Sequence, residues 1–179
     1  MKLYFLSCGF LLTLVCGCSL LPKADYREPA FYDLNVLEEK SAIPLQLQLN
    51  SFSDLTGNGL RMTTRNSDGT LSFDESNRFS APPVQLIRRR LASFFPPAQQ
   101  TGSARLSADL LRFEYLAGKQ SVRMVMDCRL HIRNQEKAFR FDAEEKGKGP
   151  EMKDAAEAFE RCILSLGRRL EKEIKGEKK

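Results

Sequence analysis

The chain has 179 residues, 42% of them hydrophobic and 28% charged, with a formal net charge of +5. That length and balance describe one globular domain with a single core and exclude a disordered chain. The basic surplus is mild. For a chain carrying the leader described next it reads as surface solubility with some affinity for anionic lipid, and nucleic acid is not an expected partner.

Residues 3–15, LYFLSCGFLLTLV, are apolar and uncharged, and Lys2 and Lys23 are the only charges before Asp25. The run is too short to span a bilayer, which takes about 20 residues. A basic start, an apolar centre and small residues after it describe a secretory signal peptide over residues 1–17. Val15-Cys16-Gly17-Cys18 then resembles the lipobox of bacterial lipoproteins, with Gly17 as the small residue before the cut. Cys16 is the less usual small residue at its place. Cys18 is the candidate lipidation site and first mature residue, its thiol diacylglycerylated and its amine acylated. The competing reading is an ordinary signal peptide, or an uncleaved anchor, with an incidental cysteine. A metal clip from Cys16 and Cys18 lacks two further ligands at suitable spacing. Several acyl chains make a stable anchor where one would be marginal. Ser19 rather than Asp after the cysteine favours the outer membrane, by analogy with lipoprotein sorting in Gram-negative bacteria. Losing residues 1–17 removes Lys2 and no acid, which lowers +5 to +4.

Residues 18–30 form a lipidated cysteine and a tether, with two prolines and mixed charge in SLLPKADYREPA. A single domain follows over 31–175, and 176–179 is a basic, frayed tail. FYDLNV at 31–36 is a short strand. PLQLQLN at 44–50 alternates strictly and is half-buried. Gly57-Asn58-Gly59 is a turn. LRMTTR at 60–65 and TLSFDE at 70–75 flank the hairpin signal Asp68-Gly69. The period then changes over 80–95. Ser80 can cap a helix with prolines in its first turn, with Val84, Ile87, Leu91, Phe94 and Phe95 on its apolar face. Arg88 and Arg89 point away, and Pro96-Pro97 stop it.

Residues 103–116 alternate in one phase to Leu110 and in the other from Leu111, which predicts a bulge in one long strand. Over 122–132, Val122, Met124, Met126, Cys128, Leu130 and Ile132 share one face. Arg123, Asp127, Arg129, His131 and Arg133 share the other, interrupted by Val125, so this is an antiparallel strand with a core face and a wet face. Asn134 and Gln135 turn the chain into a strand where Phe139, Phe141 and Ala143 alternate. A helix over about 151–174 has a stripe of Met152, Ala155, Ala156, Phe159, Ile163, Leu166 and Leu170, with Cys162 at its edge. The order predicts an α+β two-layer sandwich, an antiparallel or mixed sheet with two amphipathic helices packed on one face.

Beyond Cys18, maturation leaves Cys128 and Cys162. They are a candidate disulfide in an oxidising compartment, with two buried free thiols as the alternative. His131 is the only histidine, and no Gly-x-Ser-x-Gly elbow accompanies it. No zinc or calcium spacing and no phosphate loop occurs in the sequence. The acids of DAEEK at 142–146 read as solvated strand-end residues. The expectation is a non-enzyme with no cofactor and no metal. Arg88, Arg89 and Arg90, with Arg123, Arg129 and Arg133, read as solvated faces, Arg88, Arg89, Arg123, Arg129 and Arg133 being candidate contacts for an acidic partner or lipid headgroups. Exposed sheet edges offer a route to homo-oligomers.

Taken in order, the lipobox cysteine, the tether, FYDL, LQLQLN and LRMTTR leading into LSFDESNRFSAPPVQLIRRRLASFF resemble the ABC-type transport auxiliary lipoprotein family, which includes the outer-membrane lipoprotein of the paraquat-inducible (Pqi) system. The strongest stretch runs from about Arg61 to Phe95. The family commonly has Trp where this chain has Phe79. The resemblance implies a non-enzymatic lipoprotein on the periplasmic face of the outer membrane. It implies a partner too, a periplasmic MCE-domain protein of an inter-membrane lipid transport system whose far end the lipoprotein docks or caps. Only Cys18 carries over residue by residue. The alternative is a structural lipoprotein of another envelope machine, such as lipopolysaccharide or pilus assembly.

Overall fold

A computed structural model describes residues 28–34, 39–41, 46–95, 103–149 and 151–176, apart from the side chains of Gln46 and Ser103. The leader, Cys18 and most of the tether, residues 35–36 of the first expected strand, residues 44–45 of the second, the Pro96-Pro97 stop and the tail after Gly176 lie outside the described residues.

The sheet is organised around one long strand. β5, Ser103–Leu116, pairs along its length with antiparallel β6, Ser121–Ile132, which in turn pairs with antiparallel β7, Gln135–Lys146. Its register shifts between Leu110 and Arg112, so Leu111 is the extra residue that the phase change predicts. The bulge keeps apolar side chains inward on both sides of itself: Leu106, Ala108 and Leu110 before it and Phe113 after it are all buried.

The opposite edge of β5 is shared. β2, Gln46–Asp54, runs parallel to it from Ser103 to Leu110, and β3, Arg61–Arg65, runs parallel to it from Glu114 to Leu116. β2 and β3 are therefore one interrupted strand. While β5 advances four residues, from Leu110 to Glu114, the facing chain advances nine, from Asp54 to Thr63. The excess makes an excursion in which Gly57 and Gly59 take φ of +71° and +59°, left-handed values that glycine adopts without a side-chain penalty. The expected turn is present, but it leaves and rejoins the same line of the sheet instead of reversing it. β4, Leu71–Phe79, forms the hairpin with β3, and β1, Ala30–Tyr32, adds in parallel on the outer edge of β4. The order is β1-β4-β3-β5-β6-β7 with β2 also on β5, a mixed seven-stranded sheet.

Two helices, α1 (Pro83–Phe94) and α2 (Met152–Gly176), pack on the face that carries Met124, Met126, Cys128 and Leu130. α1 begins at Pro82 with no side-chain cap. The expected Ser80 cap is not made: the N-cap position falls two residues later, at Pro82, and Ser80 stays with the sheet, its amide donating to the Tyr32 carbonyl. The core holds a triad of rings: Phe113 stacks on Phe159 at 3.9 Å, and Phe79 packs against both at 5.3 and 5.7 Å. Between the helices, a Cβ added at Gly167 would meet the Phe94 ring at 2.9 Å. Glycine there sets how closely α1 and α2 approach.

Two expectations are corrected, and the choice left open for the two cysteines is resolved. Arg90 is not part of a solvated basic run: it falls four residues from both Leu86 and Phe94, on the buried face. Its Nε donates to Glu160 Oε1 at 2.9 Å, with the two side chains 1% and 0% exposed. Arg133 is not on the wet face of β6. It occupies the β6–β7 turn with φ of +54°, so the turn is centred on Arg133-Asn134. Cys128 and Cys162 are free and buried. The Cys162 thiol sits against the carbonyl of Ala143, which lies opposite Met124. That is four residues along β6 from Cys128, about 13 Å of strand, where a disulfide tolerates at most about 7 Å between Cα atoms. Burial pushes both thiols up to about 12.

Two outcomes follow for stability. Arg90→Met strips the buried Glu160 carboxylate of its guanidinium and should cost about 3–5 kcal/mol in urea unfolding, with much of the loss recovered in Arg90→Met/Glu160→Leu. Arg133→Gly relieves a left-handed non-glycine residue and should raise the melting temperature by roughly 2 °C.

Candidate functional site

Alternation along β5, β6 and β7 sends every second side chain to the face opposite the helices, and no described element covers that face. Its cross-strand rows are read from the register. One runs Phe73, Thr63, Glu114, Arg123, Glu144 and another runs Ser53, Asp109, Asp127, Arg140. Opposite charges meet within and between the rows. Arg123 grips Asp142 through two hydrogen bonds at 2.9 and 2.6 Å. Arg140 grips Asp127 at 2.7 and 2.8 Å, and Arg65 grips Glu114 at 3.0 and 2.8 Å. Val125, the apolar interruption, is buried, with Arg112 and Asp142 as its cross-strand neighbours.

Asp109 and Asp127 stand directly opposite each other, an arrangement that repels unless cations intervene. Arg129 reaches Asp109 at 3.2 Å and Arg140 holds Asp127. These four side chains edge an open hollow of about 600 Å³ where Ala138 leaves room. Its charges are already paired, so the hollow offers no uncompensated charge to a ligand. The Arg140 hydrogen bonds hold the Asp127 carboxyl below its ordinary value of 3.8. Arg123 does the same for Asp142. Hydrogen bonds from Ser121 and then Lys119 lower Glu144 below 4.5.

The candidate residues do not converge on one basic site. Arg123 and Arg129 share the open face in separate rows. Arg133 is at a hairpin tip. Arg88 and Arg89 lie on the outer flank of α1, where Arg88 donates to the Leu49 carbonyl at 3.1 Å and Arg89 meets Asp33 at 3.4 Å. His131 has Arg105 and Glu136 as cross-strand neighbours, with Glu136 Oε2 3.7 Å from its Nδ1; it is a rim residue of the charged face. Among the described residues no group of three or more His, Cys, Asp or Glu is placed to hold a metal ion, and no helix is long and apolar enough to cross a membrane. Sequence reading passed over Arg61, Arg65, Arg78 and Arg140. Their alternation was visible, but their neighbours depend on strand order, which local pattern does not fix.

No protein-family model matches the chain, and no curated protein matches it. Among solved structures it is similar to an uncharacterised protein, with TM-score 0.67 and 14% identity over 83% of this chain and 99% of that one. It is also similar to a Xanthomonas campestris protein described under the family DUF330, with TM-score 0.62 and 16% identity over 79% of this chain and 92% of that one. At such identities these two likenesses establish a shared fold and no activity. A candidate lipoprotein from Caulobacter crescentus, 12% identical over 75% of this chain and 92% of its own, has a TM-score of 0.32 and carries no argument.

The paired carboxylates have lowered values in the folded state, so their contribution is present above the unfolded values and fades as pH falls through the folded ones. Thermal melts should be level above the ordinary values of 4.5 and 3.8 and decline below them. Asp127→Asn/Arg140→Gln should soften that acid decline. An unchanged acid slope would remove the ladder from the account.

Proposed function

We propose that this chain is a non-enzymatic lipoprotein, anchored through Cys18 to the periplasmic face of the outer membrane, that docks or caps the far end of a periplasmic MCE-type assembly in inter-membrane lipid transport. The observation that carries the reading is Val15-Cys16-Gly17-Cys18 at the end of an apolar leader, followed by a short tether into an edge strand of the sheet, whose face opposite the helices no described element covers. Supporting it, the stretch with the strongest family resemblance, Arg61 to Phe95, folds as β3, β4 and α1, one consecutive unit. Phe79, where the family commonly has Trp, is a fully buried member of the ring triad, a role that any large aromatic can fill with repacking. β7 lies at one end of the strand order, with a second strand on one side only, and is the natural edge for self-association.

Cells fed clickable palmitate should label the wild-type chain and not Cys18→Ser, with the wild type in the outer-membrane fraction. Mild crosslinking should then recover an MCE-domain protein with the wild type. Label in both chains overturns the anchor. Labelled chain that crosslinks instead to lipopolysaccharide or pilus assembly proteins overturns the transport assignment while leaving the anchor intact.

A further inference from the structure

The open face changes character at one corner. Three of the four exposed large hydrophobic side chains among the described residues, Phe31 (57%), Leu71 (49%) and Phe73 (40%), lie there on β1 and β4. Register interleaves them with arginines. Phe31 stands opposite Arg78 and Arg78 opposite Arg61, Phe73 opposite Thr63, and Leu71 opposite Arg65. The Arg61 guanidinium lies 4.1 Å over the Phe73 ring, which puts both on the same surface.

The electrostatics of this corner differ from those of the ladder. Arg61 and Arg78 face each other across the β3–β4 pair, a like-charge arrangement that costs stability in isolation. Arg65 is neutralised by Glu114, but Arg61 donates only to the Asn58 carbonyl, at 3.4 Å. Among the described residues the buried Arg78 Nε has no hydrogen-bond partner, and the carboxylate that meets its guanidinium, Glu75, is 3.9 Å away. Two under-partnered guanidiniums beside three exposed apolar side chains is the composition of a surface that meets headgroups and acyl chains together. The chain's own path says which surface is near. β1 follows the tether, and residues 19–29 between Cys18 and β1 reach at most about 40 Å when extended.

We infer that the corner of Phe31, Arg61, Leu71, Phe73 and Arg78 seats on the phospholipid surface to which Cys18 is anchored. The two guanidiniums hold headgroup phosphate, and the three apolar side chains enter the boundary between headgroups and acyl chains. This rests on the lipid-anchor reading above. It fixes which way the domain faces: the β1–β4 corner lies on the membrane, and β6, β7 and the ion-pair ladder turn toward the aqueous space.

The chain has no tryptophan, so one introduced indole reports one position. The lipidated chain carrying Phe31→Trp, Phe73→Trp or, as a control on β7, Ala138→Trp is reconstituted with vesicles of brominated phosphatidylglycerol and floated. Expected are flotation, a blue shift and bromine quenching at positions 31 and 73, and neither at 138. In the Cys18→Ser background, Arg61→Gln/Arg78→Gln should weaken partition onto phosphatidylglycerol vesicles roughly 30-fold, from about 1 kcal/mol per basic residue near an anionic surface. Flotation with no quenching at 31 or 73, or with equal quenching at all three positions, keeps the anchor and overturns the docked corner. If the wild type fails to float, the anchor reading fails. The corner is then judged by the same reporters at high vesicle concentration, where absence of quenching overturns it. Quenching that survives Arg61→Gln/Arg78→Gln unchanged overturns the phosphate role of the arginines.

Discussion

One extra residue, Leu111, lets β5 serve as the spine of the whole sheet. A 14-residue strand with apolar side chains on one face would lose its phase against two helices without a register correction. The bulge supplies that correction, and the facing chain breaks at the same level: β2 ends beside Leu110 and β3 resumes beside Glu114. The excursion through Gly57 and Gly59 lies at the level of that bulge, where Leu110 and Phe113 are kept inside together. The ring triad of Phe79, Phe113 and Phe159 sits just past the bulge and ties β4, β5 and α2 into one core.

Most of that spine was legible in the residues. The phase change at Leu110-Leu111, the strict alternation of β6 and the apolar stripe of α2 are local signals, and each was visible in a short window. Strand neighbours were not, because a period of two tells which way a side chain points and not which strand lies beside it. So the parallel attachment of β2 and β3 to β5 had no signature, and Gly57-Asn58-Gly59 read as a turn with nothing to say which strands it joins. Arg90 was legible in principle, since it shares a helical face with Leu86 and Phe94, but three consecutive arginines read as one solvated run. Arg133 was misplaced by one residue because Asn is the commoner tenant of a turn. Of the candidate site, the wet faces of Arg123 and Arg129 were readable. Their partners Asp142 and Asp109 were not, nor was the meeting of Arg61 with Arg78 across the β3–β4 pair.

The uncovered face is therefore two surfaces. Across β5, β6 and β7 the charges largely cancel in pairs, two of them bidentate, which leaves the face polar with little net field. At the β1–β4 corner the cancellation stops and apolar rings take its place. In the proposed orientation, with the β1–β4 corner on the membrane, one sheet would divide a lipid-facing corner from a water-facing surface through which strands carry paired charge.

The interrupted strand has a bearing on when the chain can fold. Among the described strands β2 pairs with β5 alone, and its first pairing joins Gln46 to Ser103. Made from the N-terminus, the first half can close the local β3–β4 hairpin and form α1, but β2 has no strand to pair with until β5 is made. Contacts of such long sequence separation form late, after the loop between them has been closed at an entropic cost. The β5–β6–β7 meander, joined by short turns, is the part able to assemble first, and the N-terminal strands then add to it. The N-terminal half can therefore hold local structure of its own, but its full place in the sheet is settled only when the second half supplies β5.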